Sequence, residues 1–313
     1  MTRQEILQQA DAILQERRRK SAQELREREL HALERKEYAD VASALRRAQN
    51  DYAKARAFAL KDCDKIAAEV EKLQQSYDAT VQKLGLDLAS HPTCDQCNDS
   101  GYLTDGKECE CRRAIVRDLL RKSCVIADML PFTLNDHAPE GLPQKQAQWL
   151  DQLYAFAKRY GAQFADAKTK CVLLYGTPGT GKSALLSAVG NDLLDRGYSV
   201  CYLPAYRFHE TVLSRHLNPK LPPGDVYKAM FEADILLLDD LGTEPLYRNV
   251  TLESLLYLLD HRLAQGKPTW ITTNLQPDAL FTRYGERIVS RLTDKRYARV
   301  CQMQGENIRK YKR

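Results

Sequence analysis

Neither glycine nor proline occurs before Gly85, and that absence excludes a turn-rich fold for the N-terminal part of the chain. The same stretch is dense in Ala, Leu, Glu, Lys, Arg and Gln, the strong helix formers, so a long helical arm or hairpin is expected. Long hydrophobic runs are also missing. No stretch approaches a membrane span, and the opening Met1 to Ile6 is charged, without the apolar core of a signal peptide. The expectation is a cytoplasmic protein with no membrane partner. A large excess of one charge is lacking as well: the net charge is +5 over 313 residues. Affinity for nucleic acid therefore has to come from a local patch. The length suggests about two domains.

Within the arm, Tyr38, Val41, Leu45, Ala48, Tyr52 and Ala55 recur at steps of three and four, as do Ile66, Val70, Leu73, Tyr77, Val81 and Leu84. Both sets read as coiled-coil seams. They suit either an antiparallel pair packed on itself or an arm that grips another protein's helices. The basic cluster Arg17 to Lys20 reads as a solvated face, or as a contact for an acidic partner or a nucleic-acid backbone.

Four of the nine cysteines fall in one short segment, Cys94 and Cys97 at C-x2-C and Cys109 and Cys111 at C-x-C, joined by a span with Gly101 and Gly106. Such pairs present four thiolates to Zn²⁺. Four protein ligands close the site to water, so the expected zinc is structural. Disulfides are the rival, disfavoured where no signal peptide is seen. Cys63, Cys124, Cys171, Cys201 and Cys301 are scattered and read as inert thiols.

The most informative run is Gly176, Thr177, Pro178, Gly179, Thr180, Gly181, Lys182, Ser183. It fits a phosphate loop, with a strand-like stretch from Cys171 to Tyr175 before it and a helix opening at Ala184 after it. The glycines let backbone N–H groups turn inward at a helix N-terminus, where the guest is a polyphosphate such as ATP. Lys182 would reach the β- and γ-phosphates and the Ser183 hydroxyl would complete a Mg²⁺ shell. A second buried strand ends in Asp239 and Asp240. The first would hold Mg²⁺, directly or through water, and the second would orient or deprotonate the attacking water, with Glu244 as a substitute base. Asp is one methylene shorter than Glu, so slow turnover is expected.

A third strand-like run, Pro268 to Asn274, ends in an amide suited to sensing the attacking water or the γ-phosphate; a turn-forming role for Asn274 is the alternative. Beyond it Arg287 and Arg291 lie four apart on one helical face. Either would reach a neighbour's ATP, or both belong to a solvated basic face.

These landmarks, Gly-Thr-Pro-Gly-Thr-Gly-Lys-Ser, Leu-Asp-Asp-Leu-Gly, Thr-Thr-Asn-Leu and Gly-Glu-Arg-Ile-Val-Ser-Arg-Leu, resemble in order and spacing the AAA+ ATPases of the bacterial replicative-helicase loader family, the DnaC and DnaI type, over roughly residues 128 to 313. The resemblance implies an α/β core with a parallel five-stranded sheet flanked by helices. It implies binding of ATP and single-stranded DNA, and delivery of the hexameric replicative DNA helicase onto its template. By the same resemblance Arg291 is the arginine finger acting in trans, Arg309 senses the bound nucleotide, and the chain lacks a C-terminal helical lid. A cysteine knuckle ahead of the ATPase is similar to the DnaI-like branch, whose N-terminal domains bind zinc.

The expected domains are a helical arm over 1–90, a zinc knuckle over 91–115, a helix and flexible linker over 116–145 with Pro131, Pro139 and Pro143, and the ATPase over 146–313. Arg207, His209, Arg215, His216 and Lys220, with Tyr202, Tyr206 and Phe208, form a basic and aromatic mixture suited to single-stranded DNA, or an ordinary helix face. The reading is a slow, assembly-dependent ATPase that loads the helicase in replication initiation or restart and self-assembles through its ATPase domain. A transposition helper ATPase of the IstB type and a coiled-coil adaptor with a purely structural nucleotide site are the alternatives. A small-molecule kinase is disfavoured, because no acceptor-binding lid is evident.

Overall fold

The computed structural model describes residues 3–58, 63–136 and 139–311. They form two compact units, residues 9–112 and residues 1–8 with 113–313. None of the described helices is long and apolar enough to cross a membrane.

The glycine-free stretch is almost wholly helical over its described residues, with α1 (Arg3–Leu33), α2 (Lys36–Ala57) and α3 (Cys63–Lys83). α2 and α3 run antiparallel with their seams facing. The Tyr38 and Tyr77 hydroxyls meet at 3.0 Å near one end of the pair, where Lys83 also pairs with Glu37 at 3.1 Å. Tyr38, Leu45 and Ala55 are buried on α2, but no α3 residue is, so the hairpin is a thin one. α1 is tied to the chain after α3 by Arg28, which donates to Asp87 at 2.6 Å and to the Ala89 carbonyl at 2.9 Å. Arg18, Arg19 and Lys20 are exposed, as a solvated face requires.

The second unit takes in most of α4 (Glu110–Ser123), then α5 (Gln144–Ala162) and a sheet of β1 (Cys171–Gly176), β2 (Val200–Pro204), β3 (Ile235–Leu241), β4 (Thr269–Thr273) and β5 (Ala298–Met303). The order is β2-β3-β4-β1-β5 and every pairing is parallel. Parallel strands need helical crossovers, here α6 (Lys182–Asp195), α7 (Ala205–Leu217), α8 (Asp225–Glu232), α9 (Glu253–Ala264) and α10 (Pro277–Thr293). Strands covered on both faces read as continuous apolar runs, which is why Ile235 to Leu238 are all fully buried. The carboxyl ends of β1, β3 and β4 open together on one edge of the sheet, where ligands bind in open α/β folds.

Within the segment expected to be a flexible linker, residues 125–132 are irregular and hydrogen-bonded to the ATPase core. Val125 bridges to Cys201, and the Tyr202 N–H donates to the Val125 carbonyl at 2.6 Å, extending the sheet beyond β2. Asn191 on α6 donates to the carbonyls of Leu130 and Phe132 at 3.0 and 2.9 Å. Prolines there remove donors without freeing the chain, because the carbonyls carry the attachment.

Arg262, on α9, is fully buried without a carboxylate partner. Its guanidinium donates to the carbonyls of Met230 and Ala233 at 3.0 Å, to Pro268 at 2.7 Å and to the Thr269 hydroxyl at 3.1 Å. Burial pushes its pKa down to about 10, so it remains charged at neutral pH. Carbonyl oxygens replace water around the ion and cap the entries to β3 and β4. Arg262→Ala is expected to destabilise this unit by about 3 kcal/mol in urea unfolding, since it leaves several buried carbonyls unpaired. Arg262→Lys should recover only part of that loss, having three donors in place of five.

Candidate functional site

The run from Gly176 to Ser183 links β1 to α6 as the sequence predicts. Gly176 takes φ 142° and Gly179 φ 80°, values that side chains rarely adopt. Space is equally restrictive. A Cβ at Gly176 would lie 2.0 Å from the Met303 carbonyl oxygen, and one at Gly179 would lie 2.3 Å from the Asn307 side chain. The chain after β5 thus packs directly on the loop, and the Ile308 N–H donates to the Gly179 carbonyl at 2.8 Å. Lys182 Nζ donates to the carbonyls of Gly176 and Thr177 at 2.9 and 2.8 Å. Burial lowers its pKa, and Asp240 and Asp239 oppose that shift. Thr180 is buried and donates to the Thr177 carbonyl at 2.9 Å, locking the loop.

β3 brings both acids to the loop. Asp239 Oδ1 accepts from the hydroxyls of Ser183 at 3.0 Å and Thr272 at 2.5 Å, and Oδ2 accepts from Tyr202 at 2.6 Å. Asp240 has φ 58°. Its N–H donates to Thr272 Oγ1 at 2.7 Å, and its carboxylate accepts from Asn274 Nδ2 at 2.6 Å. Burial raises the pKa of Asp240, the neighbouring Asp239 charge adds to the rise, and Lys182 opposes it. Lys182, Ser183, Asp239, Asp240 and Asn274 therefore converge, as the sequence reading expects.

Around them lies a cavity of about 430 Å³. Pro178, Gly179, Gly181 and Ala184 line it, as do the apolar side chains of Leu130, Phe132 and Ile308 and the ring of Tyr311, with Arg309 also at the wall. Gln146 on α5 fixes this C-terminal stretch: its amide donates to the Glu306 carbonyl and accepts from the Glu306 N–H, both at 2.9 Å. Leu130, Phe132, Tyr311, Thr272, Tyr202 and Gln146 were not singled out for the site by sequence. Only Thr272 carried a signal, standing in the run that ends at Asn274.

Other residues sit elsewhere. Arg291 lies toward the opposite end of β1, where it pairs with Asp260 on α9 (Nη2 to Oδ2 3.1 Å) and donates to the Arg287 carbonyl at 2.7 Å. Arg287 is exposed. Glu244 is not a substitute base: it is buried, accepts from the Gly242 N–H at 2.8 Å and bonds the Tyr284 hydroxyl and Arg283. The basic and aromatic mixture also comes apart. Tyr202, Phe208 and His209 are buried, Arg207 pairs with Asp128, and Arg215 caps the carbonyls of Pro219 and Leu221. Only Tyr206, His216 and Lys220 of that set remain exposed. The helical period of α7 alternates core and surface, which a list of residue types cannot separate.

In the N-terminal unit, the sulfurs of Cys94, Cys97, Cys109 and Cys111 all lie within 4.8 Å of one another. Cys94 approaches Cys109 at 3.8 Å and Cys97 approaches Cys111 at 3.4 Å. Four sulfurs around a tetrahedral Zn²⁺ stand about 3.8 Å apart, so the cluster fits that ion. Burial pushes the Cys97 thiol up, but the Gly101 N–H and the other thiols outweigh it and bring its pKa down to about 7. The buried Asp99 accepts from the N–H groups of Thr93 and Cys94 at 2.7 and 3.1 Å and sets the first turn.

A model of the family described as IstB-like ATP binding protein matches residues 140–313, more than half of the chain. The replicative helicase loader DnaI of Bacillus subtilis (strain 168) is 32% identical over 117 residues, 36% of this chain and 36% of that protein. The replicative helicase loader DnaC of Escherichia coli (strain K12) is 28% identical over 138 residues, 44% of this chain and 55% of that protein. The phage-like element PBSX protein XkdC of B. subtilis (strain 168) is 28% identical over 221 residues, 65% of this chain and 79% of that protein. The match thus spans about a third to a half of the two loaders' own length.

A general base at Asp240 would have to be ionised, and the pKa there is raised. ATP hydrolysis is therefore expected to be present above that raised value and to be lost as the pH falls through it, at a higher pH than an ordinary carboxylate gives. A pH–rate profile measures this, and Asp240→Asn should remove turnover while ATP still binds.

Proposed function

The chain belongs to the family of IstB-like ATP binding proteins, with residues 140–313 as its AAA+ ATPase domain, and from there we propose that it loads the replicative DNA helicase onto single-stranded DNA in replication initiation or restart. The observation that carries the reading is the company the ATPase keeps. A helical hairpin and a four-cysteine cluster precede it in the same chain, and two of the relatives it matches are named replicative helicase loaders. The hairpin is the part proposed to hold the helicase.

At the nucleotide site the residues divide the work. Lys182 exchanges its two carbonyl partners for phosphate oxygens, and the apolar lining residues Leu130 and Phe132, with Tyr311, take the base. Ser183 and Asp239 are the proposed Mg²⁺ ligands, hard oxygens of the type that ion prefers. Bound there, Mg²⁺ would neutralise charge on the β- and γ-oxygens. Asp240, held by Asn274, orients the attacking water. Arg309 senses the nucleotide from the wall. Arg291 faces away from its own pocket, which suits a finger supplied to a neighbouring copy, so hydrolysis depends on assembly.

Zn²⁺ held by Cys94, Cys97, Cys109 and Cys111 completes the N-terminal unit, whose hairpin buries little. Chelation, or Cys109→Ser, is expected to release bound zinc and lower the thermal midpoint of this unit while ATP binding persists. Circular dichroism beside nucleotide titration reads both.

The loader reading is tested by co-purifying the full chain with the replicative helicase of its host, with ATP and Mg²⁺, and following helicase transfer onto single-stranded DNA. A defined complex that transfers helicase is expected, with Arg291→Ala binding ATP but losing about a hundredfold or more in assembly-stimulated turnover. No complex, with turnover intact, would instead favour a transposition helper acting on target DNA.

A further inference from the structure

Tyr202 sits on β2, is buried, and is absent from every role given so far except one: its hydroxyl donates to Asp239 Oδ2 at 2.6 Å. A phenylalanine would fill the same core volume, so the hydroxyl is what needs explaining. Asp239 is held at its other oxygen too, where Oδ1 accepts from the hydroxyls of Ser183 at 3.0 Å and Thr272 at 2.5 Å. Tyr202 therefore fixes the one carboxylate oxygen that Ser183 and Thr272 leave.

From this bond we infer that Tyr202 is a positioning residue for Asp239, tuning how strongly Mg²⁺ reinforces nucleotide binding. The inference rests on reading Ser183 and Asp239 as the Mg²⁺ ligands. With Oδ2 engaged by Tyr202, the carboxylate cannot rotate, and Oδ1 stays beside the Ser183 hydroxyl where the ion has to sit. The ion then meets an oxygen pair already in place and spends nothing on ordering it.

The test compares ATP affinity in Mg²⁺ and in EDTA, by fluorescent-nucleotide titration, for the wild-type chain and Tyr202→Phe. In the wild type Mg²⁺ should tighten binding. Tyr202→Phe should lower that Mg²⁺-to-EDTA ratio about tenfold with the EDTA affinity unchanged. A merely structural tyrosine would weaken both affinities together, or neither, and an unchanged ratio in Tyr202→Phe overturns the inference while leaving the nucleotide site standing. A wild-type chain whose ATP affinity ignores Mg²⁺ overturns both readings. Thermal melts in EDTA confirm that the variant compared is folded.

Discussion

The nucleotide site depends on one irregularity at the end of β3. In a regular strand adjacent side chains point to opposite faces, so two consecutive acids could not serve one ligand. β3 pairs with β4 in register from Leu236 opposite Thr269 to Leu238 opposite Ile271, then shifts, and the ladder resumes at Leu241 opposite Thr273. The extra residue is absorbed at Asp239 and Asp240, where Asp240 turns to φ 58°. The bulge directs Asp239 to Ser183 and Tyr202 and leaves Asp240 beside Asn274. A left-handed conformation at a non-glycine residue costs on the order of 1 kcal/mol or more. Thr272 offsets it by accepting the Asp240 N–H and donating to Asp239 in the same place. β4 matters for this reason, since it lies between the strand that feeds the loop and the strand that carries the acids.

The loop itself is held from the other side. Met303 leaves no room for a side chain at Gly176, nor Asn307 at Gly179, and Gln146 pins the chain that carries them. A phosphate loop is usually described by its own glycines. Here their necessity comes as much from the segment after β5 as from the turn they make.

Much of this was legible in the sequence because its signals are local. The phosphate loop, the apolar run ending in Asp239 and Asp240, and the cysteine spacing each announce themselves within a few residues. The facing seams of α2 and α3 follow from helical period alone. What the sequence hid is set by distance along the chain. Leu130 and Phe132 stand in a stretch with no periodicity, and side chains of α6, Asn191 and Ser187, show where they go. Tyr202 looked like an aromatic for stacking because Arg207 and His209 follow it closely; a strand covered on both faces buries it instead. Glu244 read as a spare acid until Tyr284, forty residues on, took its carboxylate.

Arg262 has a consequence for the order in which the sheet can form. Its acceptors come from the end of α8, the entry to β3 and the entry to β4, three places that meet only in the finished core. A partly built sheet would leave a guanidinium in an apolar interior with donors idle, a state less favourable than the open chain. Folding of this half should therefore be all-or-none, with no stable halfway form in which β3 is docked and β4 is still loose.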